Sequence, residues 1–367
     1  MAEARIRNFL FAPPAFILLP AVGIDISDRS IKYAKLLPTP EGFHLEGFTD
    51  ISLESGIVEG GKILEPKKLQ DILTGLRKKY DISFVRTALP EKQMYFFRTS
   101  IPDGPLEVIH DTIELSLEDH VPIPVSEAIF DFEVVGHSGA NVEVAVTAAS
   151  REVVESYIDI FKSSGLTILS LELEADAVAR TVIKKDDTFA HLIVDFGETR
   201  TGIAVAYGGQ IYFTSTVNIG GRILTETLAK HFAVTVAEAE AMKREFGLRR
   251  NGPNQDLFSL LLNNIAVLRD EINKHFIYWH THPDETGKAR PPIEQIVLVG
   301  GDSNLVGLPD YLSASLRVKT IVADVWTNVN LPARGVPELS RQDSLGYATA
   351  IGLSMHDTND DQKYESR

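Results

Sequence analysis

A weak internal repeat constrains this chain more than any other feature. An apolar strand that closes on an aspartate, a polar turn and a returning strand occur twice. The first copy is Gly23-Ile24-Asp25-Ile26-Ser27-Asp28-Arg29-Ser30-Ile31-Lys32, and the second is Ile193-Val194-Asp195-Phe196-Gly197-Glu198-Thr199-Arg200-Thr201-Gly202. A unit that returns after nearly half the chain predicts two similar domains facing one another. Each turn offers backbone N–H groups beside small or hydroxyl side chains, which are the makings of an anion nest for phosphate oxygens. The aspartates repel phosphate, but Asp25 and Asp195 can hold a Mg²⁺ ion that bridges to it. Lys32, at the far side of the first turn, reaches a phosphate as a point charge.

One such turn is commonplace, and the second copy is what gives the pattern weight. A third element follows in order. The strand Leu298-Val299 runs into Gly300-Gly301-Asp302-Ser303, and a glycine pair lets a flat ring approach the backbone closely.

Size and charge narrow the class. The chain has 367 residues, more than one core accommodates, so two or three substructures are expected. Its 44% hydrophobic and 24% charged residues are globular proportions. The formal net charge of -15 argues against a nucleic-acid or anionic-membrane surface, though not against one nucleotide in a local pocket. There is no cysteine, which excludes disulfides, thiolate metal sites and thiol nucleophiles. Phe9 to Val22 is apolar after Arg5 and Arg7, a pattern shared with signal peptides. Pro13, Pro14 and Pro20 break any helix there, and the run falls short of a membrane span, so it reads as leading into a buried strand.

Periodicity divides the chain. Residues 1–20 are an N-terminal extension, and 21–90 form the first part of domain I. Residues 91–169 form an inserted α+β subdomain in the order strand, helix, strand, strand, helix. Residues 170–345 form domain II, opened by a helix from Leu171. Residues 346–355 are a helix returning to domain I, the end of a continuous helix over 343–355, and 356–367 are a disordered polar tail.

Together these residues resemble the actin-like ATPases, a group that includes actin, the sugar kinases, MreB, FtsA and PilM. Gly23 to Lys32 looks like the first phosphate loop and Asp195 to Thr201 like the second. Leu171 to Ala177 and Gly346 to Leu353 look like the two connecting helices, and Gly300 to Ser303 like the adenosine loop. The PilM family of type IV pilus assembly proteins is the nearest resemblance. It rests further on Leu89-Pro90-Glu91, Val121-Pro122-Ile123-Pro124, Phe130-Asp131-Phe132 and Ile219-Gly220-Gly221. The stretch Asp357 to Gln362 has no apolar face of the kind with which FtsA-like chains anchor to membranes.

The resemblance implies an α/β, actin-like (ribonuclease H-like) two-domain fold with a nucleotide cleft and a small inserted α+β subdomain. It implies ATP and Mg²⁺ as ligands. Asp25 and Asp195 would organise the metal. Ser27, Asp28, Arg29, Lys32, Gly197, Glu198 and Thr199 would surround the phosphates, and Gly300, Gly301, Asp302, Glu240 and Lys243 the adenosine. Glu174, with Asp176 as alternative, falls where some relatives orient the attacking water, so slow ATP hydrolysis is a possible activity. Position 27 is serine where the family carries glycine, and Asp302 stands where many relatives carry another glycine. Both departures bear on how tightly nucleotide is held.

By the same resemblance the chain is a cytoplasmic adaptor at the inner face of the membrane. Its partner is the cytoplasmic tail of a PilN-like inner-membrane protein, with pilus motor ATPases and self-association as further expectations and no nucleic acid. A turnover ATPase or a filament-forming FtsA-like protein is the alternative. Phe16-Ile17-Leu18-Leu19-Pro20 carries a Leu-Leu-Pro like the segment that PilN-type tails present, and is a candidate mimic of that partner. Trp279-His280-Thr281-His282 offers too few ligands for a metal site.

Overall fold

The computed structural model describes residues 21–39, 42–250, 254–284, 287–329 and 338–355. The N-terminal extension with its Leu-Leu-Pro and the tail over 356–367 lie outside the described residues.

The first lobe starts with a meander of β1 (Ala21–Ile26), β2 (Ser30–Thr39) and β3 (Gly42–Ser52). Antiparallel register sets Asp25 opposite Lys32. A small pair, β4 (Val58–Glu59) and β5 (Lys62–Ile63), leads to helix α1 (Pro66–Tyr80). Proline in its first turn and a left-handed Asp81 after its last bound this helix, whose apolar stripe of Leu69, Leu73 and Leu76 is buried. Strand β6 (Phe84–Leu89) then lies parallel to β1.

The chain next leaves this sheet. Strand β7 (Met94–Pro102), helix α2 (Leu106–His120), β8 (Ala128–Ser138) and β9 (Asn141–Ser150) build a separate three-stranded sheet in the order β7-β9-β8. It has its own core of Ile101, Ile109, Ile113 and Val144. Helix α3 (Arg151–Ser163) returns to the first lobe, where Val153, Tyr157 and Phe161 pack with Leu69 and Leu73. Strand β10 (Thr167–Leu173) pairs in parallel with β6 and completes a sheet of order β10-β6-β1-β2-β3. The inserted unit therefore ends near residue 150 rather than 169. Leu171 lies in a strand, not in the helix expected there. Apolar Ile168, Leu169, Leu171 and Leu173 among Ser170 and Glu172 suit a strand as well as a helix turn.

Helix α4 (Glu174–Val182) carries the chain across. The second lobe repeats the first, with β11 (Ala190–Phe196), β12 (Thr201–Tyr207) and β13 (Gln210–Val217) as the antiparallel meander. Helices α5 (Gly221–Phe232), α6 (Val236–Phe246) and α7 (Gln255–Thr281) follow. Strand β14 (Ile293–Val299), helix α8 (Leu308–Leu316) and β15 (Lys319–Val322) close the sheet as β13-β12-β11-β14-β15. Position by position this is the strand order of the first sheet, which is the physical content of the sequence repeat. Alternation along β11 sends Leu192, Val194 and Phe196 against α7 and Ile193 the other way.

That other way is the space between the lobes. Ile193, Val297 and Val299 meet Ala34 and Leu36 of the first sheet in one core, around α4 and the last helix, α10 (Ala348–Ser354). The two helices touch where Gly352 lies on the Ala177 carbonyl, and a methyl group at 352 would collide with it. The continuous helix expected over 343–355 is broken into α9 (Arg341–Ser344), a 3-10 turn over Leu345–Tyr347, and α10. The Leu345 carbonyl accepts from the Gly300 N–H at 3.2 Å and is spent outside the helical ladder. Among the described residues no helix is long and apolar enough to cross a membrane.

Candidate functional site

The repeated turns face one another across a cleft of about 1170 Å³. Asp25, Ser27, Arg29 and Lys32 line it from the first lobe, and Asp195, Gly197, Glu198 and Thr199 from the second. Gly300, Gly301, Asp302, Glu240 and Lys243 line its other end, and Glu174 its floor. Of the residues singled out from the sequence, Asp28 and Asp176 are outside this lining.

Each turn is built by its own hydrogen bonds. The Ser27 N–H donates to the Ser30 carbonyl at 2.9 Å, and the Ser27 hydroxyl accepts from the N–H of Ser30 at 3.1 Å and of Arg29 at 3.4 Å. The serine side chain thus stands where an incoming anion would meet those N–H groups. Lys32 donates to the Ser30 hydroxyl at 2.5 Å, at the mouth of the turn. Asp28 turns away from the cleft. Its carboxylate accepts from the Gly61 N–H at 3.1 Å and from the Thr199 hydroxyl at 3.3 Å, which ties the two turns together. In the second turn, Gly197 N–H donates to the Arg200 carbonyl, and the Gly197 and Glu198 carbonyls receive the first N–H groups of α5, from Gly221 and Arg222. Gly300, at φ 90°, packs against the Asp195 carboxylate so closely that only a residue without Cβ fits.

The floor is crowded with carboxylates. Burial raises Asp25 above the usual carboxylate range, against the pull of Lys32 and Arg200. Burial and then repulsion from Asp25 push Asp195 up to about 6. Burial also pushes Glu174 to about 7, although Arg200 opposes it. Glu91, buried behind them, is raised well above 4.5 by burial and by Glu174. Glu91 and Arg200 were not singled out from the sequence. An arginine within the second turn was the available signal for one, and Leu89-Pro90-Glu91 for the other. Arg200 donates to Glu174 at 2.7 Å, and the Glu91 N–H reaches the second Glu174 oxygen at 3.4 Å.

This donor set suits Mg²⁺. The oxygens are hard, burial and mutual repulsion make the ionised forms of Asp25 and Asp195 costly in a way a bound cation would offset, and Mg²⁺ takes one or two carboxylates while keeping much of its water. Among the described residues the sole group of three ligand atoms within 4.8 Å of one another is His110, Asp111 and Glu114, exposed on α2 and away from the cleft. Asp176 faces Arg180, Glu172 and Glu133 instead of the cleft.

At the other end Lys243 is buried, and its ammonium meets three acceptors: Asp302 at 2.6 Å, Glu240 at 2.8 Å and the Gly221 carbonyl at 3.3 Å. Glu240 also accepts from the Thr225 hydroxyl at 2.6 Å and from Arg244 at 2.8 Å. Burial would raise Glu240, but these hydrogen bonds outweigh it and bring it to about 2. Asp302, where a glycine had been the family expectation, supplies the acceptor that fixes Lys243.

Residues 23–358 match the family model described as type IV pilus assembly protein PilM. Among curated proteins, the cell division protein FtsA of Staphylococcus epidermidis is 20% identical over 344 residues, a match covering 87% of this chain and 62% of that protein. The chain thus spans less than two thirds of that relative's length. Among solved structures, a PilM-PilN type IV pilus biogenesis complex superposes with a TM-score of 0.77 at 21% identity, over 92% of this chain and 98% of the other. MreB5 of Spiroplasma citri bound to ADP gives 0.57 at 13% identity, over 94% and 98%. The fold is actin-like.

Proposed function

The chain belongs to the PilM family of type IV pilus assembly proteins, and on that premise we propose that it is a nucleotide-held adaptor, taking Mg-ATP in the cleft and presenting a partner surface set by the angle between its lobes. The observation that carries this reading is the facing pair of turns, one from each lobe, with Asp25 and Asp195 at their bases. Asp25 and Asp195 would hold Mg²⁺, which supplies positive charge to the phosphate oxygens. Lys32 and Arg29 bring further positive charge to the phosphates. Gly300 and Gly301 leave room for the adenosine, and the Lys243–Glu240–Asp302 network stiffens the wall beside it. A ligand touching both lobes favours one interlobe angle over others.

The partner is the cytoplasmic tail of a PilN-like inner-membrane protein, which would hold the adaptor at the cytoplasmic face of that membrane. Pilus motor ATPases are the further contacts of the same role. The test is Mg-ATP affinity of the unaltered protein and of Asp195→Ala, with binding of a PilN-like tail peptide measured in both states. Tight ATP binding that is lost in Asp195→Ala, and peptide affinity that changes with ATP, are the expected results. Peptide affinity indifferent to ATP would leave a scaffold without a nucleotide switch.

A further inference from the structure

Glu174 is the first residue of α4 and lines the cleft, the position that the resemblance to actin-like ATPases gives to a water-orienting base. Neither of its oxygens is free. One accepts from the Arg200 guanidinium at 2.7 Å, and the other from the Glu91 N–H at 3.4 Å. The first is a charge-assisted bond, the strong kind. Both partners are largely shielded, with side-chain exposures of 15% for Arg200 and 13% for Glu174, so water screens the pair little. The second guanidinium nitrogen of Arg200 is buried without a hydrogen-bond partner, so the side chain accepts an unpaired N–H in order to keep this contact. The bond also crosses the cleft. Arg200 belongs to the turn between β11 and β12, whereas Glu174 follows β10 of the first sheet. Next to it, Thr199 donates to Asp28 at 3.3 Å, a second link between the same turn and the first lobe.

We infer that Arg200 is a clamp that withholds Glu174 from catalysis, so that the cleft holds ATP without hydrolysing it. Hydrolysis requires a water oxygen to bond to the terminal phosphorus while the bond from phosphorus to the bridging oxygen breaks. The bridging oxygen leaves with the electron pair as ADP, and a base takes the water's proton. Accepting from a guanidinium on one oxygen and a backbone N–H on the other leaves the carboxylate further lone pairs, but it fixes the group toward Arg200, whose charge lowers its proton affinity and so weakens it as a base toward that water. Arg200 is a positioning residue here, and the inference rests on the nucleotide reading of the cleft.

The experiment measures Mg-ATP affinity and phosphate release over hours for the unaltered protein, Glu174→Gln, Arg200→Thr and the double variant. The unaltered protein is expected to bind ATP and release phosphate no faster than Glu174→Gln. Arg200→Thr is expected to bind ATP and release phosphate at least tenfold faster, a gain that the double variant loses. If Glu174→Gln slows release in the otherwise unaltered protein, Glu174 is not withheld and the clamp is overturned, whether or not Arg200→Thr folds. Arg200→Thr that binds ATP without faster release overturns it as well. No ATP binding by the unaltered protein overturns the nucleotide reading, and the clamp with it.

Discussion

The guanidinium carbon of Arg98 lies 3.7 Å from the centre of the Tyr212 ring, and this contact joins the inserted sheet to the second lobe. Arg98 is buried on β7, pairs with Glu143 on the neighbouring β9 at 2.9 Å, and reaches Gln210 and the Ile211 carbonyl at 3.4 Å. Its charge is thus paired within the insertion, while its flat face and remaining N–H groups serve the other lobe. Arg98→Ala is expected to destabilise the protein by about 2–4 kcal/mol, through the stranded Glu143 and the lost stacking. Urea denaturation measures it, and a loss below about 0.5 kcal/mol would show the contact to be incidental.

Ser27→Gly is expected to tighten Mg-ATP binding severalfold. The Ser27 hydroxyl occupies the N–H groups of Arg29 and Ser30, and removing it frees them for a phosphate oxygen. Calorimetric titration reads the change. Weaker binding in the variant would mean that the hydroxyl itself contacts the ligand.

Asp195→Asn is expected to separate stability from binding. Burial and Asp25 both raise the Asp195 carboxyl, so neutralising it removes repulsion and Tm without nucleotide rises by a few degrees, roughly 1 kcal/mol. Mg-ATP affinity falls at least tenfold in the same variant. A lower Tm would show that Asp195 anchors structure and is not held for a ligand.

Glu91 gives a pH signature. Its carboxyl is raised well above 4.5 in the folded protein. Below pH 4.5 both states are protonated and nothing is lost. As pH rises past 4.5 the unfolded chain ionises while the folded one keeps its proton, so stability declines until the folded group itself ionises. Glu91→Gln is therefore expected to raise Tm by a few degrees at pH 8, on the order of 1 kcal/mol, and to do little at pH 4. Equal effects at both pH values would contradict this.

Glu240 has the opposite sign. Held to about 2 by Lys243, Thr225 and Arg244 against the effect of burial, it contributes stability that is full above pH 4.5 and is lost as pH falls toward 2. Glu240→Gln is expected to lower Tm at pH 7, with the gap to the unaltered protein narrowing below pH 4. A gap that is constant with pH would assign the effect to packing.

Much of the architecture was legible in local pattern. Asp25 and Asp195 each close an apolar run before a polar turn, and the structure makes both runs central strands with antiparallel returns. The helix over Leu106–His120 shows its stripe of Ile109, Ile113 and Leu117 in the spacing alone. Thr167–Leu173 was not legible as a strand, because what makes it one is β6, paired from far earlier in the chain. Leu308–Leu316 and Lys319–Val322 escaped for a similar reason, being short and held mainly by neighbours already in place. In the site, hairpin geometry delivered Asp25, Lys32 and Asp195 to the cleft. The Arg200–Glu174 bond and two of the three acceptors around Lys243, Asp302 and the Gly221 carbonyl, join residues 26, 59 and 22 positions apart, and no local pattern encodes them; only Glu240 and Lys243, three apart on one helix, could be read as a pair.

The core shared between the lobes has a consequence for how the protein is made. Ala34 and Leu36 of the second strand pack with Ile351 of the last helix, and the Leu36 N–H donates to the Ser354 hydroxyl at 2.9 Å. During synthesis Leu36 therefore emerges more than three hundred residues before Ile351, and until then its face of the sheet is covered only in part, by α4 and the second lobe. Helix α10 completes that cover, so a chain interrupted before residue 348 leaves apolar surface of the first sheet exposed, which makes such a product prone to aggregate.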